Sequence, residues 1–142
     1  MTDVDLVSKK LACIETYVQE LRTLSRPADI VRDLRERRFA EHTLQIAIQA
    51  ALDVASHIVS DERMGEPRSN RAMFELLEQH GWIDATLALT LHNMVGFRNL
   101  LVHGYAAVDP RVVQNVVQHH VDDLLLYVAA IRQKLNTRQQ ES

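Results

Sequence analysis

The stretch ATLALTLHNMVGFRNLLVHGY, residues 85–105, decides the fold. Its apolar residues recur at alternating steps of three and four, which predicts a helix from about Ala85 to Val102. Asp84 is placed to cap it, and Gly104 to end it. Leu87, Leu91, Met94, Arg98, Leu101 and Tyr105 fall on one line of this helix, so Arg98 interrupts an apolar stripe. A charge in that place must be paired, or must face a cavity or another subunit. A second line carries Leu89, Asn93, Gly96, Leu100 and His103. A mid-helix glycine costs about 1 kcal/mol relative to alanine, and close approach of a partner helix would compensate at Gly96.

The same period extends outward in both directions. Val7, Leu11, Ile14, Val18 and Leu21 predict a first helix over about Asp3 to Leu24. Pro27 follows a break at Ser25-Arg26 and suits a first helical turn, so the second helix is expected from about Ala28 to Ser60, with room for a bend near Glu36. Leu44, Ile48, Ala51, Ala55 and Ile58 form its apolar face, and Ala47, Ala50, Ala51 and Ala55 let a neighbour come close. Residues 61–70 form the main loop. Ser69 or Asn70 then caps a short helix, about Arg71 to His80, that stops at Gly81. Asp109-Pro110 opens a last helix from about Arg111 to Leu135, with a frayed polar tail from about residue 136. No strand signal, internal repeat or low-complexity segment appears. The expected architecture is all-α, a single domain over residues 1–142. It is an antiparallel bundle of four main helices plus a short one.

Composition agrees with that picture. The chain has 142 residues, enough for one domain with one core, and only 4 Gly and 3 Pro punctuate it. Formal net charge is -3, so any nucleic-acid contact must come from a local patch. The single Cys13 fits a reducing compartment and reads as a buried structural thiol. The start Met1-Thr2-Asp3-Val4-Asp5 lacks the basic and apolar regions of a signal peptide. The apolar run from Leu124 to Ile131 is too short to span a bilayer. The expectation is a cytoplasmic protein with no membrane partner.

Chemistry concentrates in Arg98-Asn99-Leu100-Leu101-Val102-His103-Gly104-Tyr105. A guanidinium clamps phosphate, and an imidazole moves protons near neutral pH. Cleaving RNA without a metal requires the ribose 2′-hydroxyl to lose a proton and the 5′-oxygen to gain one. His103 can serve either role, while Arg98 holds the phosphate and stabilises charge added in the transition state. Asn99 stacks with His103 at a spacing of four and can orient it by a hydrogen bond. Five residues advance about 140° around a helix, so Arg98 and His103 are not stacked in one chain. Two copies packed across Gly96 would bring them together more readily than one, so the expected site is composite, at a two-fold axis. Spacing alone also allows a plainer reading: an arginine near a helix end is often a surface or capping group, and a lone histidine there satisfies carbonyls.

Residues 94–105, with Arg98, His103 and Tyr105 behind the Gly96-Phe97 pair, resemble the signature of HEPN domains, specifically the HepT-like toxins. That pattern is Arg, four residues, His, any residue, Tyr. The run from Leu44 to Ala55 resembles the family's second helix, as does the Phe74-Leu76-Leu77 helix ahead of Gly81 its counterpart. The resemblance implies a dimerising HEPN-like bundle with the motif in a cleft between protomers. It implies a metal-independent endoribonuclease, the toxin of a toxin–antitoxin pair, with Arg98 and His103 catalytic and Asn99 supporting. The implied partner is a minimal nucleotidyltransferase antitoxin that silences the nuclease by transferring AMP from ATP to Tyr105. No cofactor is implied beyond ATP as that partner's co-substrate. The alternative is a non-catalytic nucleotide- or RNA-binding module that docks a nucleotidyltransferase.

Other candidates are weaker. Arg32, Arg35, Arg37 and Arg38 are interleaved with Asp33 and Glu36, which favours a solvated, salt-bridged face over an RNA patch. His119-His120 is adjacent rather than at helical ligand spacing, and His42, His57, His80 and His92 show no metal pattern. Trp82 and Phe97 read as packing residues, and Tyr17 and Tyr127 carry no motif.

Overall fold

In the computed structural model, which describes residues 2–103 and 108–141, every regular element is helical. The helices are α1 (Val4–Leu24), α2 (Leu34–Asp61), α3 (Asn70–Gln79), α4 (Ala85–His103), α5 (Pro110–His119) and α6 (Val121–Glu141). A 3-10 turn, Pro27–Asp29, lies between α1 and α2. The predicted apolar face of α1 is fully buried: Val7, Leu11, Ile14, Val18 and Leu21 all point into the core. The centre is α2, which packs against each of the other five helices. Its small side chains Ala40, Ala47, Ala51 and Ala55 are buried along with Leu44, Ile48 and Ile58.

Caps fix most of the boundaries. Asp3 accepts from the Leu6 N–H, Ser69 from Ala72, Asp84 from Leu87 and Asp109 from Arg111. Gly81 follows α3 with φ of +79°, a left-handed conformation that suits glycine.

Four expectations are corrected. The second helix starts at Leu34, not Ala28: Pro27 opens only a 3-10 turn, and the Asp33 carboxylate caps α2 by accepting from Arg35 (2.9 Å) and Glu36 (3.4 Å). The single last helix is two, broken at His120, whose φ and ψ of −123° and −6° are non-helical. The apolar register runs unbroken from Val113 through Val117 and Val121 to Leu135, so periodicity could not reveal the break. The polar tail is helical to Glu141 rather than frayed. Arg138 bonds Glu62 and lies 5.6 Å over the Trp82 ring, with Lys134 at 6.0 Å, and these contacts hold α6 down. Finally, Cys13 is exposed, because it sits two residues from Leu11 and so nearly opposite the buried face.

Among the described residues, Tyr127 is the largest fully buried side chain. Its hydroxyl donates to the Ala51 carbonyl at 2.9 Å, and its ring meets Phe74 edge-on at 6.0 Å. Burial pushes the phenol above its ordinary pKa, which favours the protonated, donating form. Tyr127→Phe should lower stability by about 1 kcal/mol, read as a lower urea midpoint with an unchanged slope.

Candidate active site

Arg98 and His103 occupy the last turns of α4 and point to different surroundings. Arg98 is half-buried, and its Nη2 donates to Gln49 Oε1 on α2 at 2.6 Å. Its Nη1 donates to Asn99 Oδ1 at 3.1 Å. Its Nε–H is buried and lacks an acceptor. Among the described residues no carboxylate pairs with this guanidinium, so its positive charge is held in place but not neutralised. A buried donor left unsatisfied costs about 1–3 kcal/mol, which is tolerable where a ligand benefits from it.

His103 is exposed at the end of α4. Asn99 is also exposed, and its side-chain oxygen is engaged by Arg98, not by a hydrogen bond to His103. No hydrogen bond joins Arg98 to His103 within the chain, as the 140° separation requires. Gly104 and Tyr105 lie outside the described residues.

The second line of α4 is exposed along its whole length. Leu89 is 61% and Leu100 58% accessible, and Asn93, Gly96 and His103 are exposed with them. A Cβ built on Gly96 meets nothing within 4 Å, so no helix of the same chain explains the glycine. The opposite side of α4, with Leu87, Leu91, Met94 and Val95, is buried. This helix is therefore apolar nearly all round, although only one side of it is covered.

Among the described residues, besides a cavity of about 140 Å³ beside Ala88 and His92, two larger ones flank α4. The larger, about 590 Å³, is lined by Trp82, Leu87, Leu126 and Lys134 at the far end of the helix from Arg98. The smaller, about 310 Å³, is lined by Asn93, Met94, Phe97, Asn115 and His120, one to two turns before the motif. Sequence reasoning missed Gln49. Its only signal was a polar residue at the edge of the small-residue face of α2.

The remaining candidates take structural places. Arg32 pairs with Asp29 and Arg38 with Glu41, while Arg37 donates to the Ile30 and Val31 carbonyls. Three of the four arginines thus have local partners, but these are not the interleaved acids: Asp33 caps α2 and Glu36 accepts from the Arg26 N–H. Trp82 and Phe97 are buried in the core. His80 Nδ1 lies 2.9 Å from the Leu76 carbonyl, and His120 Nδ1 lies 3.3 Å from Asp123.

Comparison with known proteins places this geometry in a context. Residues 14–131 match the family model described as ribonuclease HepT-like. The chain is 30% identical over 129 residues to the mRNA nuclease HepT of Shewanella oneidensis, covering 90% of this chain and 97% of that protein. It is 27% identical over 146 residues to the tRNA nuclease HepT of Aphanizomenon flos-aquae, covering 100% and 99%. Among solved structures, it superposes with a TM-score of 0.84 on a tri-AMPylated Shewanella oneidensis HEPN toxin in complex with an MNT antitoxin. That match has 30% identity and covers 94% of this chain and 99% of the other.

Arg98→Met keeps the aliphatic stem and removes the charge together with the orphaned Nε–H. Urea unfolding should give a stability unchanged or raised by up to about 1 kcal/mol. A loss beyond about 2 kcal/mol would instead make the guanidinium a structural strut.

Proposed function

The chain belongs to the ribonuclease HepT-like family, and from that membership we propose that it is a toxin that cuts RNA without a metal, at a cleft between two copies, under the control of a nucleotidyltransferase antitoxin. The observation that carries the reading is the un-neutralised Arg98 guanidinium one and a half turns from an exposed imidazole, in a chain that matches two proteins described as HepT nucleases.

The chemistry follows from the two groups. The ribose 2′-oxygen attacks the adjacent phosphorus and gives up its proton; the bond from phosphorus to the 5′-oxygen breaks, and that oxygen takes a proton. His103 supplies one of these transfers, since an imidazole can either accept or release a proton near neutral pH. Arg98 stabilises the extra negative charge on the five-coordinate phosphorus. Solvent water carries the other proton, and the nucleophile is part of the substrate, so no metal-bound nucleophile is needed.

The exposed α4 line supports the homodimer. Leu89 and Leu100 provide apolar area, and Gly96 lets a twin helix approach closely. Gly96→Ala separates the two effects. At dilutions where single chains predominate it should raise stability by about 1 kcal/mol, since the added Cβ has open space. In sedimentation velocity it should weaken the dimer. An unchanged dimer would place the contact elsewhere.

Tyr105 is the proposed site of silencing. Its phenolic oxygen would attack the α-phosphorus of ATP, pyrophosphate would leave, and the new phosphodiester would bring a negative charge beside Arg98 and compete with RNA. The neighbour described as tri-AMPylated and bound to an MNT antitoxin supports this reading.

The direct test is cleavage of RNA by the purified chain in EDTA. Wild type should cut, Arg98→Ala and His103→Ala should lose roughly a hundredfold or more while remaining folded, and Tyr105→Phe should cut but resist silencing by partner plus ATP. Folded wild-type protein that binds RNA without cutting it would replace the enzyme by the binding module.

A further inference from the structure

Arg98 does not hold its position alone. Gln49 Nε2 donates to Asp53 Oδ1 at 3.0 Å, one turn along α2, while Gln49 Oε1 accepts from Arg98 at 2.6 Å. Asp53 Oδ2 in turn lies 3.5 Å from Lys10 Nζ on α1. The chain Lys10–Asp53–Gln49–Arg98 thus crosses three helices and ends on the motif.

We propose that Gln49 and Asp53 are a positioning pair that aims the Arg98 guanidinium at the scissile phosphate without cancelling its charge. The inference rests on the nuclease reading above. An amide has two ends of similar shape and opposite polarity. A free Gln49 could turn either end to α4. Asp53 accepts only, so it captures the NH2 end and leaves the oxygen to face Arg98. A carboxylate at position 49 would also accept from Arg98, but it would form an ion pair that phosphate must displace. The amide transmits the orientation set by Asp53, while the charge of Asp53 is directed to Lys10. Of the five guanidinium N–H groups, one goes to Gln49, one to Asn99, and the Nε–H is buried without an acceptor. Two hydrogens on the terminal nitrogens remain, the number a phosphate needs for a forked contact.

The test uses Gln49→Met, Gln49→Glu and Asp53→Asn in the full chain, with folding checked by thermal melting. Gln49→Met should lower kcat for an oligoribonucleotide roughly tenfold to a hundredfold, with a much smaller change in KM. Gln49→Glu should raise KM and flatten its salt dependence by about one phosphate contact. Asp53→Asn should lower kcat, and the double variant Gln49→Met/Asp53→Asn should be no slower than Gln49→Met within about twofold, because both act through one contact. A kcat unchanged in folded Gln49→Met, a salt slope unchanged in Gln49→Glu, or additive losses in the double variant would overturn the proposal. A second readout needs no cleavage. NMR should show rotation about the Arg98 Cζ–N bonds to be slow in wild type and faster in both Gln49→Met and Asp53→Asn. If wild type cuts no RNA, the nuclease reading falls and guanidinium rotation alone decides the positioning pair; unchanged rotation in both variants overturns it.

Discussion

A guanidinium cannot leave water without acceptors for its hydrogens or a counter-charge, and Arg98 has been given only part of the first and none of the second. Two neutral oxygens, from Gln49 and Asn99, hold two of its five N–H groups. The remainder of the bundle makes that arrangement possible. Arg98 lies in line with Leu87, Leu91 and Met94, which are buried, so its stem is packed while its head meets the polar edge of α2. An arginine used only for stability would more economically face a carboxylate, as Arg132 does with Glu15 through two contacts of 2.8 and 2.5 Å. In that pair the Arg132 side chain holds the Glu15 carboxyl below its ordinary pKa, the expected signature of a satisfied charge. Of these two arginines, Arg132 meets a carboxylate and Arg98 meets only neutral oxygens.

The placement of Gln49 depends on the small residues around it. Ala47, Ala50 and Ala51 are buried on α2 and allow α4 and α6 to come close enough for polar side chains to reach across. The buried Tyr127 hydroxyl reaches Ala51 in the same zone. Gln49 therefore sits among buried small residues of α2, which suits a contact that holds a long side chain in a fixed direction.

Much of this was legible in the sequence. The buried faces of α1, α2 and α4 followed from period alone, because each stripe is continuous and strongly apolar. Boundaries were harder where two signals conflicted. Asp33 followed by Glu36 is a helix-start signature, but the surrounding arginines carry no apolar pattern that would show where the helix begins. Asp122 and Asp123, acids suited to a first turn, mark the start of α6, yet the unbroken valine and leucine register concealed the break. The tail became helical through contacts with Glu62 and Trp82, which are distant in sequence and so invisible to local reading. Arg98, Asn99 and His103 were singled out by residue type and by resemblance to a family signature. Gln49 was not, because what matters about it is which end of its amide faces α4, and that depends on Asp53 and on the packing of two helices.

The angular problem of the motif also has a structural answer in Asn99. Arg98 and His103 leave the helix about 140° apart, which works against a shared substrate within one chain. Asn99 stands between them, about 100° from Arg98 and about 40° from His103 in projection, one turn before the imidazole. By accepting from Nη1, it draws the end of the guanidinium around the helix toward the side that bears His103. His103 itself lies on the line of Leu89, Gly96 and Leu100, the uncovered face. The stem of Arg98 can therefore be anchored in the core while its head is turned toward the surface where a twin helix would pack. On the proposed function, the exposed leucines, the open glycine and the un-neutralised arginine would express one requirement: a positively charged edge that a second copy and an RNA phosphate would complete.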